Sequence, residues 1–375
     1  MSMNNKFTKG LILSCMILMN PAVLCAQDFS MGEDERGAEL QVREVYTVQA
    51  EPPAIEPPKN KNIKKSFVTL TLENDMFGSG SDQNYTNGLR IGWFDLKSKP
   101  PGWNDDLQRY LPFLKTNETT STFYSLGQNM YTPEAVESSQ QDPNDRPWAG
   151  FLYGSVGMAS LIGEHVDEYE VTLGIVGPWA LGEKAQKEVH NLVDSTNPNG
   201  WDNQLKNEPG VMLSWQRRWP GYFEMPLDDE GLSFGFTPHA GFTVGNVYTY
   251  ANAGGAFVLS SHEARWVDKP FQPRPAMPGT GFFVPALKEE GSRYEWELFA
   301  GGEVRVIAQN IFLDGNTFRD SHSVDKRYFV ADLSAGASLI YDHVRVSYVS
   351  VYRTREFKGQ DEPSVFGGIS VGFNF

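Results

Sequence analysis

One predicted helix carries a candidate general base and, on the same face, an amide that can form hydrogen bonds. The segment Leu181–Val193 has a helical pattern, and a spacing of four residues places Gln186 and His190 on the same face. An imidazole is an effective general base near neutral pH. His190 is the one histidine among six that lies on a predicted helix. A lone histidine is more simply a solvated surface residue, so the neighbours of His190 decide between the two interpretations.

A short segment near residue 75 supplies groups that a histidine base could use. Glu73 and Asp75 alternate with apolar residues at the end of one predicted strand, and Thr86 begins the next strand. The alternation predicts that these three side chains share one polar, inward face. An acidic cluster can bind a hard cation, and an amide or hydroxyl can donate hydrogen bonds. Together with His190, these groups predict metal-assisted ester hydrolysis.

Other catalytic motifs have little support. The pattern GxSxG occurs at 231–235 and again at 368–372, but it works as a nucleophile site at a strand-to-helix elbow. Both copies lie within alternating segments, so chance explains them. The segment 75–82 lacks the acidic spacing of an EF-hand, and the sequence contains no HExxH, phosphate loop or dinucleotide fingerprint.

The elements that must position these residues are predicted to be antiparallel β-strands, because period-2 alternation dominates from Ser66 onward. Twelve such segments occur, at 67–75, 85–96, 121–131, 148–160, 166–176, 210–220, 232–246, 248–260, 292–308, 328–341, 343–356 and 364–375. A soluble pair of β-sandwiches and a closed membrane barrel both fit. Strict alternation up to the terminal Phe375 favours the all-β outer-membrane barrel.

Strand parity then assigns the loops of that barrel. If both termini are periplasmic, the loops 76–84, 132–147 and 177–209 lie at the cell surface. The predicted helix would therefore sit at the barrel mouth, near Asp75 and Thr86. The loops 98–120 and 261–291 would be periplasmic, although periplasmic turns are usually short.

The N-terminus has the pattern of an export signal. Lys6 and Lys9 precede an apolar run at 11–19, which is too short to span a membrane, and cleavage is expected after Ala26. Residues 27–64 form an acidic, proline-rich segment that predicts a flexible leader. The sequence thus predicts a signal peptide at 1–26, a leader at 27–64 and a barrel domain at 65–375.

Composition excludes several classes of function. The chain has 32 Lys and Arg against 47 Asp and Glu, a net charge of −15, which argues against nucleic acid as a partner. Both cysteines, Cys15 and Cys25, precede the expected cleavage point. A chain cut after Ala26 would have neither disulfides nor a cysteine nucleophile.

Several longer segments resemble the outer-membrane lipid A 3′-O-deacylase family. They occur in family order over residues 70–350. The segments are ENDMF at 73–77, NYTNGLR at 84–90, GQNMYTP at 127–133, DRPWAG at 145–150, GIVGP at 174–178, Gln186, His190, and GWDNQ at 200–204.

The resemblance implies a twelve-stranded outer-membrane barrel that removes the 3′ acyloxyacyl chain from the lipid A of lipopolysaccharide in a calcium-dependent reaction. It implies a site between the barrel wall and an extracellular-loop helix. His190 matches the catalytic histidine of the family. Asn74, Asp75 and Thr86 match its first-hairpin site residues, and Gln186 matches a glutamine one turn before the histidine.

The chain departs from the family pattern at two places. The family has an acidic residue, associated with calcium, six positions after the histidine, where this chain has Thr196; Asp194 and Asp202 are candidate substitutes. An active-site lysine has no clear counterpart, and Arg146 is the candidate in its place. We therefore expect Asp75 and Glu73 to hold calcium, and Arg146 and Trp201 to contact substrate.

The sequence leaves two other functions open. Thr196 favours a non-enzymatic barrel, a porin or surface-binding scaffold with a degenerate metal site. An outer-membrane phospholipase would be expected to use a Ser-His pair, and neither GxSxG serine is placed for one.

Overall fold

The structure is a computed structural model that describes residues 66–77, 84–95, 115–117, 119–193, 198–220, 222–228, 231–261 and 294–375. The predicted signal peptide and leader lie outside these ranges, as do most residues of the loops predicted at 98–120 and 261–291.

The described residues form thirteen strands and two α-helices. The strands are β1 (Ser66–Asn74), β2 (Asn84–Asp95), β3 (Ser121–Thr132), β4 (Ala149–Ile162), β5 (His165–Val176), β6 (Glu208–Arg218), β7 (Phe223–Pro226), β8 (Ser233–Gly245), β9 (Tyr248–Ser260), β10 (Tyr294–Asn310), β11 (Phe329–Tyr341), β12 (Val344–Arg353) and β13 (Ser364–Asn374). The helices are α1 (Gly182–Val193) and α2 (Ile311–Asp314). Within the described part of the chain, neither has the length and apolar character needed to cross a membrane.

Twelve of the strands close into an antiparallel barrel, as the sequence predicts. β1 pairs with β13, and the remaining neighbours follow in chain order until β6 pairs with β8. The additional strand β7 is short and pairs with residues 233–236 of β8, beside the part of β8 that pairs with β6. Both GxSxG serines lie in strands, Ser233 in β8 and Ser370 in β13.

The wall has the alternation expected of a barrel with lipid outside. In β1, Leu70 and Leu72 are exposed on the outer face, whereas Thr69 and Thr71 are buried inside. The same pattern reaches the C-terminus, where Ile369 and other outward side chains of β13 are exposed. The inward and outward assignment of these strands therefore follows the sequence.

Aromatic side chains fill part of the barrel interior. The short helix α2 places Phe312 against Tyr131, with ring centroids 3.9 Å apart, and also near Tyr248 and Phe151. All four belong to one buried cluster. Elsewhere inside, charged side chains form pairs such as Arg353–Asp332 at 2.8 Å.

The loops at one end of the barrel are bonded to each other. We call this the upper end, where β1 finishes at Asn74. The carboxylate of Glu208 accepts from the backbone N–H of Thr317 at 3.0 Å, and Asn316 donates to the carbonyl of Lys206 at 2.9 Å. His322 bonds to the carbonyl of Asp145 at 2.6 Å. These bonds join the loops after β3, β5 and β10, and so fix the segment that carries α1.

Candidate functional site on the outer wall

The ends of β1 and β2 are joined through side chains. Asn74 donates from Nδ2 to the backbone carbonyl of Thr86 at 3.0 Å. The hydroxyl of Thr86 lies 2.6 Å from the hydroxyl of Thr132 at the end of β3. Thr86 and Thr132 are both buried. Three neighbouring strand ends are thus bonded into one polar group.

This polar group lies on the outer face of the wall. Tyr131 belongs to the buried interior cluster, so alternation places its neighbours Met130 and Thr132 outside. The pairing of β2 with β3 shifts register between Tyr85 and Asn87, which makes Thr86 the extra residue of a β-bulge. The bulge lets Tyr85 point inward while Thr86 meets Thr132 on the outside.

The prediction that Glu73 and Thr86 share an inward face is therefore wrong. Glu73 does point inward, where its carboxylate accepts a hydrogen bond from the Tyr85 hydroxyl at 2.5 Å. A Cβ added at Gly88 would meet both of these side chains, which confirms that they fill the interior. The wall separates Glu73 from Thr86, because the bulge reverses the side on which Thr86 emerges.

Asp75 lies in a turn that folds over the outer wall. Residues Asp75–Phe77 form a 3-10 turn directly after β1. A Cβ added at Gly367, on the outer side of β13, would meet Phe77 at 2.8 Å, and the outward Tyr348 donates to the Phe77 carbonyl at 2.9 Å. Asp75 itself is 2% exposed. The Asp75 carboxylate is thus buried at the upper end of the wall, in the turn that follows β1.

Helix α1 docks on the outer face of β3 and β4. The outward Gln128 donates from Nε2 to the carbonyl of Ala180 at 2.6 Å, just before the helix. Gly150 of β4 and Gly182 of α1 meet backbone to backbone, because a Cβ at Gly150 would lie 3.3 Å from the Gly182 Cα. The helix can approach this closely because neither residue has a side chain.

The predicted pairing of Gln186 with His190 on one helical face is confirmed. Gly182, Gln186 and His190 are the buried positions of the described helix, and Gly182 touches the wall. Gln186 is 2% exposed and His190 is 6% exposed. The adjacent face carries the solvent-exposed pair Lys187 and Glu183, 2.6 Å apart. The imidazole and the amide therefore both face the barrel wall.

Trp201 fixes the side chain of Gln186. Its indole Nε1 donates to Oε1 of Gln186 at 2.7 Å, and its ring packs on Trp148 with centroids 5.2 Å apart. Both tryptophans belong to a small cluster with Met130 and Val136, against which Ala185 packs. Trp201 is 1% exposed, so it holds the helix and its amide rather than presenting a surface to a ligand.

Arg146 does not lie with Gln186 and His190 on the outer wall. The Arg146 guanidinium lies 5.0 Å from the centroid of the inward Tyr131 ring, and Nη1 is 3.5 Å from the Glu356 carboxylate. It is fully buried. The family resemblance suggested Arg146 as a substrate contact, but the cation–π contact with Tyr131 and the ion pair with Glu356 hold it on the interior side of the upper end.

The candidate acidic residues of the α1 loop have different positions. Asp202 is exposed in the 3-10 turn Trp201–Asn203. Asp194 and Thr196 lie outside the described residues. Within the described ranges, no group of three or more His, Cys, Asp or Glu side chains is arranged to hold a metal ion.

The outer-wall arrangement can perform a specific kind of chemistry. The outer side of β1–β4 and the face of α1 that covers it carry one imidazole, two amides and two hydroxyls, which belong to His190, Asn74, Gln186, Thr86 and Thr132. The adjoining turn adds the buried carboxylate of Asp75. Beside them, Trp179 and Leu181 are 70% and 54% exposed. A polar site flanked by exposed apolar side chains suits the ester of a membrane lipid, which could approach without entering the barrel.

Sequence reasoning gave no role to three residues that build this site. Gln128 holds the start of α1, Thr132 bonds to Thr86, and Trp148 supports Trp201. Gln128, Met130 and Thr132 occupy alternate positions of the outer face of β3. Polar residues on an otherwise lipid-facing row are the sequence signal that points to a covered site.

The closed barrel, its apolar exterior and the helix docked on its wall define an outer-membrane β-barrel protein. The model of the family described as outer membrane protein LpxR matches residues 11–375, and the chain belongs to that family. The family resemblance predicted from the sequence segments is confirmed.

One solved structure agrees with this fold, and two others show a weaker similarity. LpxR from Salmonella typhimurium matches with a TM-score of 0.65 at 20% sequence identity, over 82% of this chain and 100% of that chain. The β domain of the Bordetella autotransporter Brka matches at a TM-score of 0.39 and 9% identity, covering 83% and 99% of the two chains. The translocator domain of NalP from Neisseria meningitidis matches at 0.33 and 11%, covering 84% and 90%. No curated protein matches the sequence.

Proposed function

We propose that the protein is an outer-membrane lipid A deacylase that hydrolyses the 3′-linked acyloxyacyl ester of lipopolysaccharide. The observation that carries the proposal is the burial of His190 and Gln186 between α1 and the outer wall. A site on this wall reaches lipid directly, whereas a site inside the barrel would not. Family membership supports the same activity.

His190 is the proposed general base. In this mechanism its imidazole takes a proton from water, which attacks the ester carbonyl, and later protonates the leaving alkoxide. The Asn74 amide is fixed by the Thr86 carbonyl and is assigned to stabilise the oxyanion. Gln186, held by the Trp201 indole, is assigned to orient the reacting groups beside His190.

The residues on this face fit calcium in the type of donor they offer. Calcium takes oxygen ligands, and the Asp75 carboxylate is buried close to the strand ends that carry the Thr86 and Thr132 hydroxyls. Asp75 is the proposed protein anchor, and Asp194 is the proposed second carboxylate in place of Thr196. When bound, calcium would polarise the ester carbonyl. Glu73 is left out of this set because it lies inside the barrel.

The packing of the interior disfavours the alternative of a porin. Tyr131, Phe151, Tyr248 and Phe312 form a buried cluster inside the barrel. A porin requires an aqueous channel lined by polar side chains. A surface-binding scaffold without activity is compatible with this packing, so an activity measurement must separate it from the enzyme.

The test is incubation of purified, folded protein with lipopolysaccharide in detergent, with calcium or with a chelator. We expect release of the acyloxyacyl chain with calcium and loss of that release with the chelator. Absence of any acyl product in calcium would support the scaffold and contradict the enzyme. Release of acyl chains from phospholipids instead would indicate the phospholipase.

Close docking of α1 gives a further prediction. In Gly182→Ala, the new Cβ would lie 2.8 Å from the Trp201 ring and 3.2 Å from the Gly150 Cα, so the helix must shift. Displacing His190 by roughly 1 Å is expected to lower activity by about a hundredfold. Alanine favours helices, so any loss would reflect docking rather than helix propensity.

Gly154→Ala is the matched control, because its nearest neighbour would be a backbone oxygen at 3.8 Å. Activity and protection of the α1 loop from protease are measured for both variants. Equal activity in Gly182→Ala and Gly154→Ala would contradict the requirement for close docking.

A further inference from the structure

The outer wall carries a second groove on the side of the barrel away from α1. The groove has a volume of about 440 Å³ and is lined by residues of β10, β11 and β12 and of the loops at their upper ends. In the ring of twelve strands, β11 lies five strands from β3 in one direction and six from β4 in the other. The groove is therefore separate from the site under α1.

The floor of the groove is small and apolar. Val304 and Ala331 are paired on the outer face of β10 and β11, and Thr354 continues the ladder by donating its N–H to the Ala331 carbonyl at 2.9 Å. Phe329 and Tyr352 flank this floor and are 69% and 43% exposed. The short side chain of Ala331 therefore lies between larger apolar and aromatic neighbours on the floor of the groove.

Two arginines line the same groove. Arg327 and Arg355 are both exposed. Arg327 donates from Nε to the Phe357 carbonyl at 3.3 Å. In the part of the chain that the structure describes, no carboxylate lies within ion-pair distance of either guanidinium.

Neighbouring cations are neutralised within the protein. Lys326 pairs with Asp314 at 2.6 Å, and Lys358 pairs with Asp325 at 2.9 Å. The whole chain has a net charge of −15. Among the described residues these two arginines have no carboxylate partner. They lie beside an apolar groove of an acidic protein and are therefore complementary to an anionic amphiphile.

We propose that this groove binds one phosphorylated lipid of the outer leaflet, with its phosphate on Arg327 and Arg355 and an acyl chain along the floor. Guanidinium groups bind phosphate oxygens in a bidentate manner, and the exposed aromatic rings bury the chain. The ligand proposed for this groove is lipid A with its phosphates, bound without hydrolysis because His190 is on the opposite side of the barrel. The inference depends on the outer-membrane location and not on the proposed activity.

The test is native mass spectrometry of the full-length protein released from detergent with bisphosphorylated lipid A. The double variant Arg327→Gln/Arg355→Gln should retain one lipid fewer than the wild type. Its affinity for lipid A at this groove should be lower by a factor of about ten or more. Ala331→Leu keeps both charges but fills the floor, and should lose the same lipid. Arg319→Gln/Lys358→Gln removes two exposed charges from the upper loops outside the groove and should retain the wild-type number.

Three outcomes would overturn the proposal. One is wild-type retention in the double arginine variant, with its barrel verified by heat-modifiable gel mobility. Another is equal retention of lipid A lacking its phosphates. A third is displacement of the lipid by inorganic phosphate at comparable concentration, which would make the groove a free-anion site. A failed deacylase would instead appear as an unchanged mass of the free lipid A recovered after incubation of the wild type with calcium, with the difference of one bound lipid between wild type and variant preserved.

Discussion

His190→Ala should lower the rate of acyl-chain release by about a thousandfold, within the range of about 10² to 10⁴ that a positioned general base contributes. The imidazole is buried between α1 and the wall, where bulk water cannot replace it efficiently as a base. The rate is measured on purified protein with saturating calcium and lipopolysaccharide. Binding of lipid should change much less, because the imidazole acts mainly in the transition state.

The matched control for this prediction is Asn191→Ala. Asn191 is the next residue of α1 but is exposed on the other side of the helix, so its truncation should leave the rate within about twofold, as is usual for a surface change. Protection of the α1 loop from protease, together with barrel mobility, verifies that α1 remains docked in both variants. Equal rates in His190→Ala and the wild type would remove His190 from the mechanism.

Asp75→Asn should have the second largest effect. The substitution preserves shape and removes the charge that is proposed to hold calcium, so calcium affinity should fall by about a hundredfold and activity at low calcium should fall with it. Excess calcium should restore part of the rate. Calcium titration by calorimetry, together with activity at increasing calcium, measures both effects.

Two other carboxylates serve as comparisons for Asp75. Glu73→Gln changes a carboxylate on the interior side of the same strand, where the partner is Tyr85, and should leave calcium affinity unchanged. Asp202→Asn changes an exposed acid near α1 and should also have little effect. A loss of calcium affinity in Glu73→Gln that equals the loss in Asp75→Asn would contradict the placement of the metal on the outer wall.

The twelve barrel strands could be predicted because one side of the wall is largely polar and the other is apolar. Residues such as Leu70 and Leu72 alternate with Thr69 and Thr71, and this alternation is a property of the sequence itself. β7 could not be predicted in the same way. Its four residues, Phe223–Pro226, are all exposed, so no burial pattern marks them.

The side of the wall on which the site lies could not be predicted from alternation. The bulge at Thr86 adds one residue to β2, so the alternation counted back from Leu89 and Ile91 changes side at that point. Uninterrupted alternation along β2 therefore placed Thr86 inside with Glu73. Arg146 illustrates a different limit, since its long side chain reaches Tyr131 and Glu356 through tertiary contacts that no local pattern encodes.

The face shared by Gln186 and His190 could be predicted because helical spacing is local. The surface that covers this face could not, because it depends on glycine contacts between α1 and β4 that are distant in the chain. The outward polar side chains Gln128 and Thr132 mark where the apolar exterior is interrupted. They are therefore a sequence signal for the surface that α1 covers.

Mass spectrometry of lipid A from cells that express this protein tests the central claim most directly. Lipid A from cells with the wild type should lose the mass of the 3′-linked acyloxyacyl chain, and lipid A from cells with His190→Ala at equal surface abundance should keep it. Unchanged lipid A in wild-type cells, with calcium present and a correctly folded barrel at the surface, would contradict the account.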